Sequence, residues 1–396
     1  MAALASMLFS AVAATPWPAC NCTNRTLCKP LGARSTDTPD IHVYADGGGS
    51  PVNDNWRSFN FSAISTISRM SGHPLIVQPS GAVEINPKSG WPDSDLLCTA
   101  HSHNVRVVAT VLRSHDDPAF YTDLLSNKTA ITRAARELAE IVAAAGFDGV
   151  EYDLESMERY TVNATFDVGA AHVSLVAQTR GAVAAAVPGA TTTLTMGGSN
   201  LSDPAHVPYL RDYPVGELAN ASDGIFIMFY DMWHSHRVCA GPNSPYNHVE
   251  ANIAGFLRLA PASKLILGMP WYGYEYRCNG STPCTLKGCA NSTCIDGSLA
   301  HESDHFRAPP YWKVQEMLSN ASLGCVRGWN DMYQSPFYDC GIGPNRTQGW
   351  YDDPQSTRSK VSLARRLGLR GWGVFTADQA GSGAGAREMW NALGGN

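Results

Sequence analysis

Short apolar runs alternate with helical stretches along most of the chain, and this alternation constrains the fold more than any other feature. Eight runs have the length of strands: Ile41–Ala45, Ile64–Arg69, Val105–Leu112, Phe147–Leu154, Thr192–Met196, Ile225–Tyr230, Lys264–Pro270 and Gly371–Phe375. Between them, Ala130–Ala145, Ala170–Val187 and Ala251–Leu259 predict helices, and Gly146 is well placed to end the first. Strands and helices in this order predict an α/β fold, a (β/α)8 TIM barrel. A doubly wound open sheet is the alternative, although no glycine-rich phosphate loop follows the first run.

The fourth run is unusually acidic. Glu151, Asp153 and Glu155 occupy alternate positions, so they share one face of a strand. Because catalytic residues of a barrel lie at the C-terminal ends of its strands, we expect Glu155 at the rim, Asp153 one step deeper and Glu151 deepest. Carboxylates this close cannot all ionise freely, so at least one pKa should be raised, which is what a general acid needs. The competing interpretation is a solvated acidic face, and the helix that ends at Gly146 directly before this strand disfavours it.

The sixth run offers a second candidate wall for the same site. Met228 and Tyr230 share a face of this strand, and Asp231 falls at its end. A buried Met–Tyr pair alone is more often part of a core. Because this pair follows an acidic strand in the order that a barrel requires, we interpret it as part of the site.

Composition limits the partners. A net charge of −6 and a pI near 6.0 argue against nucleic acid, and no basic run suits an anionic membrane surface. The apolar start of the chain is too short to span a bilayer, and Ala14 and Ala19 end candidate cleavage sites. We therefore predict a signal peptide over residues 1–19, with a buried N-terminal helix as the alternative.

Cysteines and glycosylation sites indicate an oxidising compartment. The chain has 11 cysteines, with one group at Cys20, Cys22 and Cys28 and another at Cys278, Cys284, Cys289 and Cys294. N-x-[ST] sequons occur at Asn21, Asn24, Asn60, Asn127, Asn163, Asn200, Asn220, Asn279, Asn291, Asn320 and Asn345. We predict a glycosylated protein with disulfides. Zinc is the alternative for the four-cysteine group, but no C-x2-C pair occurs there and two sequons lie inside it. The odd number leaves at least one thiol free or paired between chains.

These features divide the chain into a Cys-rich N-terminal segment over residues 20–39 and a catalytic barrel over residues 40–396. The seventh and eighth runs are about a hundred residues apart. The stretch of about 273–347 is rich in Cys, Gly, Pro and Asn, and it predicts a disulfide-stapled insertion over the barrel mouth.

The D-G-x-[DE]-x-D-x-E pattern of the fourth run, followed by M-x-Y-D two strands later, resembles glycoside hydrolase family 18. The likeness extends along most of the chain, through Cys20-Asn21-Cys22, Cys98-x-Ala100-His101-Ser102, Pro245-Tyr246-Asn247, Gly268-Met269-Pro270-Trp271-Tyr272-Gly273-Tyr274, Trp350-Tyr351-Asp352-Asp353-Pro354-Gln355-Ser356 and Leu369-Arg370-Gly371. It implies β-1,4 cleavage beside an N-acetylglucosamine with retained configuration, in which the substrate's own acetamido group is the nucleophile. No metal or cofactor is implied.

The resemblance also implies roles for single residues. Glu155 would protonate the glycosidic oxygen and later activate water. Asp153 would hold the acetamido N–H, Tyr230 would orient the acetamido carbonyl, and Asp231 would bind sugar hydroxyls. Met228 would line the site.

Three further positions are substrate-binding candidates. Glu151 stands where the family usually has Asp, a group that exchanges a hydrogen bond with Asp153. Phe375 stands where the family usually has a Trp that floors the cleaved sugar, and strand alternation turns Trp372 away from the bore. Trp271 ends the seventh run, where an aromatic residue either packs in the core or contacts sugar.

Three functions remain open from the sequence. The first is a glycosidase acting from one end on N,N′-diacetylchitobiose units of free oligosaccharides during glycoprotein degradation. The second is an endo-acting chitinase or endo-β-N-acetylglucosaminidase, and the third a sugar-binding lectin, which the presence of Glu155 disfavours. We expect a monomer that acts on N-acetylglucosamine-containing oligosaccharides in the lysosome, with secretion as the alternative.

Overall fold

The computed structural model describes residues 17–32, 38–45, 54–70, 74–86, 89, 93–113, 120–155, 157–198, 211–232, 240–277, 306–341 and 346–394. Its centre is a closed barrel of eight parallel strands. These are β1 (Asp40–Ala45), β2 (Thr66–Arg69), β5 (Arg106–Arg113), β6 (Gly149–Leu154), β7 (Thr191–Gly197), β8 (Gly224–Met228), β9 (Leu265–Pro270) and β15 (Gly371–Phe375). Pairing of β2 with β5 closes the ring. The predicted (β/α)8 barrel is confirmed, and each predicted strand is present.

Helices surround the barrel: α1 (Ser94–Ser102), α2 (Lys128–Ala145), α3 (Met157–Tyr160), α4 (Val168–Ala186), α5 (Val215–Ala221), α6 (Tyr246–Leu257), α7 (Tyr311–Ser319), α8 (Pro354–Arg366) and α9 (Gly383–Gly394). The helix directly before β6 is closed at both ends. The side chain of Asn127 accepts hydrogen bonds from the first free N–H groups of α2. Gly146 ends α2 in the left-handed region at φ 77°. Together these ends fix where the acidic strand begins.

A phenylalanine ring fills the middle of the barrel. Phe226 on β8 points inward. A Cβ atom on Gly268 would lie 2.3 Å from its ring, and a Cβ atom on Gly373 would lie 2.9 Å from it, which is too close for a side chain at either position. Two neighbouring strands therefore carry glycine at the level of this ring. Tyr44 packs edge-on against Phe226 at 4.9 Å between ring centroids. This aromatic layer supports the residues at the barrel mouth.

Two additions extend the barrel. A hairpin of β3 (Leu75–Val77) and β4 (Val83–Ile85) lies beside β5. Between β9 and β15, where the sequence predicts an insertion, a five-stranded antiparallel sheet forms from β10 (Tyr274–Arg277), β11 (Phe306–Arg307), β12 (Val326–Asn330), β13 (Ser335–Cys340) and β14 (Thr347–Trp350). A disulfide joins Cys325 to Cys340 in this sheet. The predicted four-cysteine group, residues 278–294, lies outside the described residues.

Disulfides also tie the N-terminal segment to the barrel. Cys20 bonds to Cys28, and Cys22 bonds to Cys98 on α1. Fully buried Asp148 accepts hydrogen bonds from the backbone N–H groups of Leu31 at 2.5 Å and Val107 at 2.8 Å. Asp148, the carboxylate that precedes Glu151 in the fourth run, therefore has a structural role.

Every cysteine in the described part of the chain is in a disulfide. Residues 1–16 of the predicted signal peptide lie outside that part. Among the described residues, no helix combines the length and the apolarity that a membrane crossing needs.

Candidate active site

The acidic run lies at the C-terminal end of the barrel, and its burial follows the expected order. Glu151 is 0% exposed, Asp153 is 2% exposed, and Glu155, one residue past the end of β6, is partly exposed. The Tyr121 hydroxyl donates a hydrogen bond to the backbone carbonyl of Glu155 at 2.8 Å. The rim carboxylate therefore stands on an anchored backbone, with a buried carboxyl beneath it.

The surroundings of Asp153 shift its pKa strongly. Burial and the charge of Glu155 hold the pKa of Asp153 well above its usual range, and the charge of Glu151 acts in the same direction. The Thr195 hydroxyl on neighbouring β7 donates a hydrogen bond to Asp153 Oδ1 at 2.5 Å, which opposes the rise. The direction of this shift favours the protonated form of Asp153.

Glu151 has the opposite tendency. Burial alone would raise its pKa, but the charge and hydrogen bonding of His42, with smaller contributions from Ser68 and Tyr44, hold the pKa below its usual value. Glu151 Oε2 lies 3.4 Å from His42 Nε2, and Oε1 accepts a hydrogen bond from the Thr193 hydroxyl at 3.2 Å. The deepest carboxylate is thus an ionised partner of a histidine. The prediction that Glu151 binds substrate is not supported, because its side chain is fully buried below Asp153.

Aromatic side chains form the opposite wall. Tyr230 stands just past the end of β8, and its ring stacks on Phe375 with centroids 5.5 Å apart and planes 25° apart. Burial and the charge of Asp153 raise the pKa of Tyr230 well above its usual value, so the hydroxyl remains a donor. Met228 packs in the same apolar cluster. The predicted members Met228, Tyr230 and Phe375 therefore lie together.

Hydrogen bonds with three neighbouring residues hold Asp231 in place. Its backbone adopts φ 56°, and its N–H donates to Asn243 Oδ1 at 2.5 Å. The hydroxyls of Tyr272 and Tyr274 both donate to Asp231 Oδ1. The carboxylate is exposed and oriented, which suits hydrogen bonding to a sugar.

The position of Trp271 does not agree with its predicted role. Its side chain is 0% exposed and packs edge-on against Trp390 of α9, with centroids 4.9 Å apart. On β9, Ile266 and Gly268 face the bore, so alternation turns residue 271 outward and residue 272 inward. Tyr272 is the aromatic residue that reaches the site. Trp372 lies outside the bore as expected, and its indole N–H donates to Leu393.

Sequence reasoning missed two sets of residues. His42 and Tyr44 lie on β1 at alternate positions, so the period of the strand places both in the bore once its phase is known. Thr193 and Thr195 similarly alternate on β7 and pair with Glu151 and Asp153. On β1, polar side chains at every second position of an otherwise apolar strand were the available signal, whereas the consecutive threonines of β7 gave none.

Comparison with known proteins agrees with this geometry. The sequence model described as glycosyl hydrolases family 18 matches residues 94–380. Di-N-acetylchitobiase of Mus musculus is 27% identical over 94% of this chain and 92% of its own length, and probable di-N-acetylchitobiase 1 of Dictyostelium discoideum is 28% identical over the same shares. The fold matches a family 18 chitinase of Cycas revoluta solved with (GlcNAc)3, with a TM-score of 0.69, 16% identity, and coverage of 89% of this chain and 98% of that one. The chain therefore belongs to glycosyl hydrolase family 18, and it is a glycosidase.

Proposed function

We propose that this enzyme hydrolyses the β-1,4 bond of N,N′-diacetylchitobiose units in free oligosaccharides, with retention of configuration. The observation that carries the proposal is the buried carboxyl of Asp153 beneath the rim residue Glu155, with a pKa raised by burial and by the charge of Glu155, and with Tyr230 at the same barrel mouth. This arrangement offers one proton donor, one acceptor for an acetamido N–H and one donor for an acetamido carbonyl. It suits a sugar that brings its own nucleophile.

The first chemical step needs only Glu155 and the substrate. The Glu155 carboxyl gives its proton to the glycosidic oxygen as the bond from that oxygen to the anomeric carbon breaks. The acetamido carbonyl oxygen forms a new bond to the same carbon, which gives a cationic oxazolinium. In the second step the Glu155 carboxylate takes a proton from water, and the water oxygen replaces the acetamido oxygen at the anomeric carbon.

Asp153 and Tyr230 would hold the acetamido group through both steps. Asp153 Oδ1 accepts from Thr195, and its remaining acceptor capacity is available to the acetamido N–H. The raised pKa of Asp153, caused by burial and by Glu155, means that a proton is present to share with Glu155 once the latter is a carboxylate. The Tyr230 hydroxyl would donate to the acetamido carbonyl oxygen and point it at the anomeric carbon.

Phe375, Met228 and Asp231 would shape the sugar subsite. The stacked Phe375 and Tyr230 rings give an apolar floor, on which one face of a pyranose can lie. Exposed Asp231 would accept from hydroxyls of the adjoining sugar. Tyr274 on β10 donates a hydrogen bond to Asp231, so the insertion contacts the site on this side.

Relatives favour this substrate over chitin. The mouse and Dictyostelium relatives bear the name di-N-acetylchitobiase and align along nearly their whole length, whereas a class V chitinase of Arabidopsis thaliana aligns over 70% of each chain. An endo-acting chitinase or endo-β-N-acetylglucosaminidase is the second candidate, because the same catalytic residues would serve it. A non-catalytic lectin is the third, and the intact acid residue argues against it.

We also propose that the enzyme acts in the lysosome, with secretion as the alternative. Three disulfides among the described residues and the many sequons support passage through an oxidising compartment. Immunolocalisation of the full chain against lysosomal markers tests this part, and an entirely extracellular protein would contradict it.

Product analysis tests the proposal. Chitobiose, chitotriose and a free core-bearing glycan, each labelled at the reducing end, are incubated with the enzyme and with Glu155→Gln. We expect release of one labelled N-acetylglucosamine from each, and no turnover by Glu155→Gln with sugar binding retained. Glu140→Gln, a surface change on α2, is the matched control and should leave turnover unchanged. Labelled fragments of several lengths from longer chitin oligomers would support the endo enzyme instead, and normal turnover by Glu155→Gln would refute the catalytic assignment.

A further inference from the structure

The side chain of Glu151 extends from β6 into the interior of the barrel. It is rooted on β6, whose neighbours in the sheet are β5 and β7. One carboxylate oxygen takes the Thr193 hydrogen bond from β7, and the other lies 3.4 Å from His42 Nε2 on β1. Among the described strands, β1 pairs with β2 and β15, so the contact between Glu151 and His42 joins strands that are not neighbours.

The length of the glutamate makes this contact possible. An aspartate has one carbon fewer in its side chain, which shortens its reach by about 1.3 Å. From the same backbone its carboxylate would lie beyond the distance of an ion pair with His42. In this chain the longer side chain at position 151 therefore brings the carboxylate to the histidine at position 42.

His42 is fully buried, and charged groups surround it. Burial lowers its pKa, but Glu151, with a smaller contribution from Asp40, outweighs both burial and Arg370, so the pKa of His42 is raised from 6.5. The rings of Tyr44 and Phe226 lie 5.5 and 5.6 Å from the imidazole.

The two shifts define a pH window. The raised pKa of His42 gives stabilisation that is complete below 6.5 and lost as pH rises through the folded-state value. The pKa of Glu151, lowered by His42 against the effect of burial, gives stabilisation that is present above 4.5 and lost as pH falls through its folded-state value. The directions of the two shifts favour both charges together between pH 4.5 and 6.5.

We propose that His42 is a positioning residue for the glycosidase reaction: it holds Glu151 as a carboxylate turned toward β1, so that the proton of the acidic run stays on Asp153 and Glu155. The inference rests on the catalytic roles proposed above. The Thr193 hydroxyl donates to one oxygen of Glu151, and His42 Nε2 lies 3.4 Å from the other, an ion-pair distance without a hydrogen bond. The charge of Glu151 also contributes to the raised pKa of Asp153.

A double-mutant cycle tests the coupling. We compare kcat/KM against pH for the parent, His42→Gln, Glu151→Gln and the double variant. In the parent background, His42→Gln leaves a buried glutamate without its cation, so Glu151 becomes a second site for the proton. We expect about a tenfold loss of kcat/KM and a changed pH profile. In the Glu151→Gln background, His42→Gln should cost less than about twofold, and those two profiles should superimpose.

The cycle remains decisive if His42→Gln does not fold, because Glu151→Gln and the double variant carry no unpaired charge. A tenfold difference between these two would overturn the inference, since His42 would then act without Glu151. Equal losses from His42→Gln in both backgrounds would also overturn it, because they would indicate packing alone. His172→Gln, which removes a buried imidazole from α4, is the control and should leave the pH profile unchanged. Normal turnover by Glu155→Gln would refute the proposed catalytic chemistry, and this result does not depend on the outcome of the His42 cycle.

Discussion

The hydroxyl of Thr195 offers a sharp test of how Asp153 works. Its hydrogen bond to Asp153 Oδ1 is 2.5 Å long and fully buried. Thr195→Val keeps the shape of the side chain and removes the donor. A bond to a neutral acceptor contributes about 1 kcal/mol and one to a charged acceptor about 2–3 kcal/mol. If Asp153 gains negative charge toward the transition state, the variant loses the difference, and kcat should fall on the order of tenfold.

The assay is kcat on reducing-end-labelled chitobiose across pH. Thr195→Val also removes the one contact that lowers the pKa of Asp153, so ionisation of Asp153 should move to higher pH. Thr179→Val on α4 is the matched control, because the buried Thr179 hydroxyl bonds the hydroxyl of Tyr152, which lies on the outer face of β6, at 2.7 Å. The control should lose stability and keep kcat. Equal kcat for Thr195→Val and the parent would refute a charge change on Asp153.

Three other changes have defined outcomes. Phe375→Ala removes the ring stacked on Tyr230 and should raise KM for chitobiose about tenfold or more, with kcat less affected; an unchanged KM would place the sugar elsewhere. Lys360→Met leaves Asp352 without its buried cation and should lower the free energy of unfolding in urea by about 3–5 kcal/mol, whereas an unchanged midpoint would contradict an ionised pair. Cys22→Ala opens the disulfide to α1 and should cost about 2–5 kcal/mol in the same assay; a cost below about 1 kcal/mol would mean that the N-terminal segment is not held by it.

Period-two alternation explains most of what the sequence predicted correctly. Within single strands it orders Glu151, Asp153 and Glu155 by depth, and it turns Phe375 inward and Trp372 outward. These statements need only local geometry.

Contacts across the bore were out of reach of that reasoning. The partner of Glu151 is His42, which lies on a strand more than a hundred positions earlier, and only barrel closure brings the two together. The sequence leaves Trp271 open between the core and the site, and the inward position of Gly268 on the same strand decides for the core. The hold of Tyr274 on Asp231 depends on the path of the insertion, which no periodicity predicts.

The anomeric configuration of the first product tests the central claim most directly. Chitobiose is mixed with the enzyme in D2O, and the anomeric protons are followed by NMR before mutarotation equilibrates them. Attack by the substrate's acetamido oxygen and then by water predicts that the N-acetylglucosamine formed at the cleaved centre appears first as the β anomer. The disaccharide without N-acetyl groups should not be hydrolysed. An α anomer formed first, or hydrolysis of the deacetylated sugar at a comparable rate, would contradict the account.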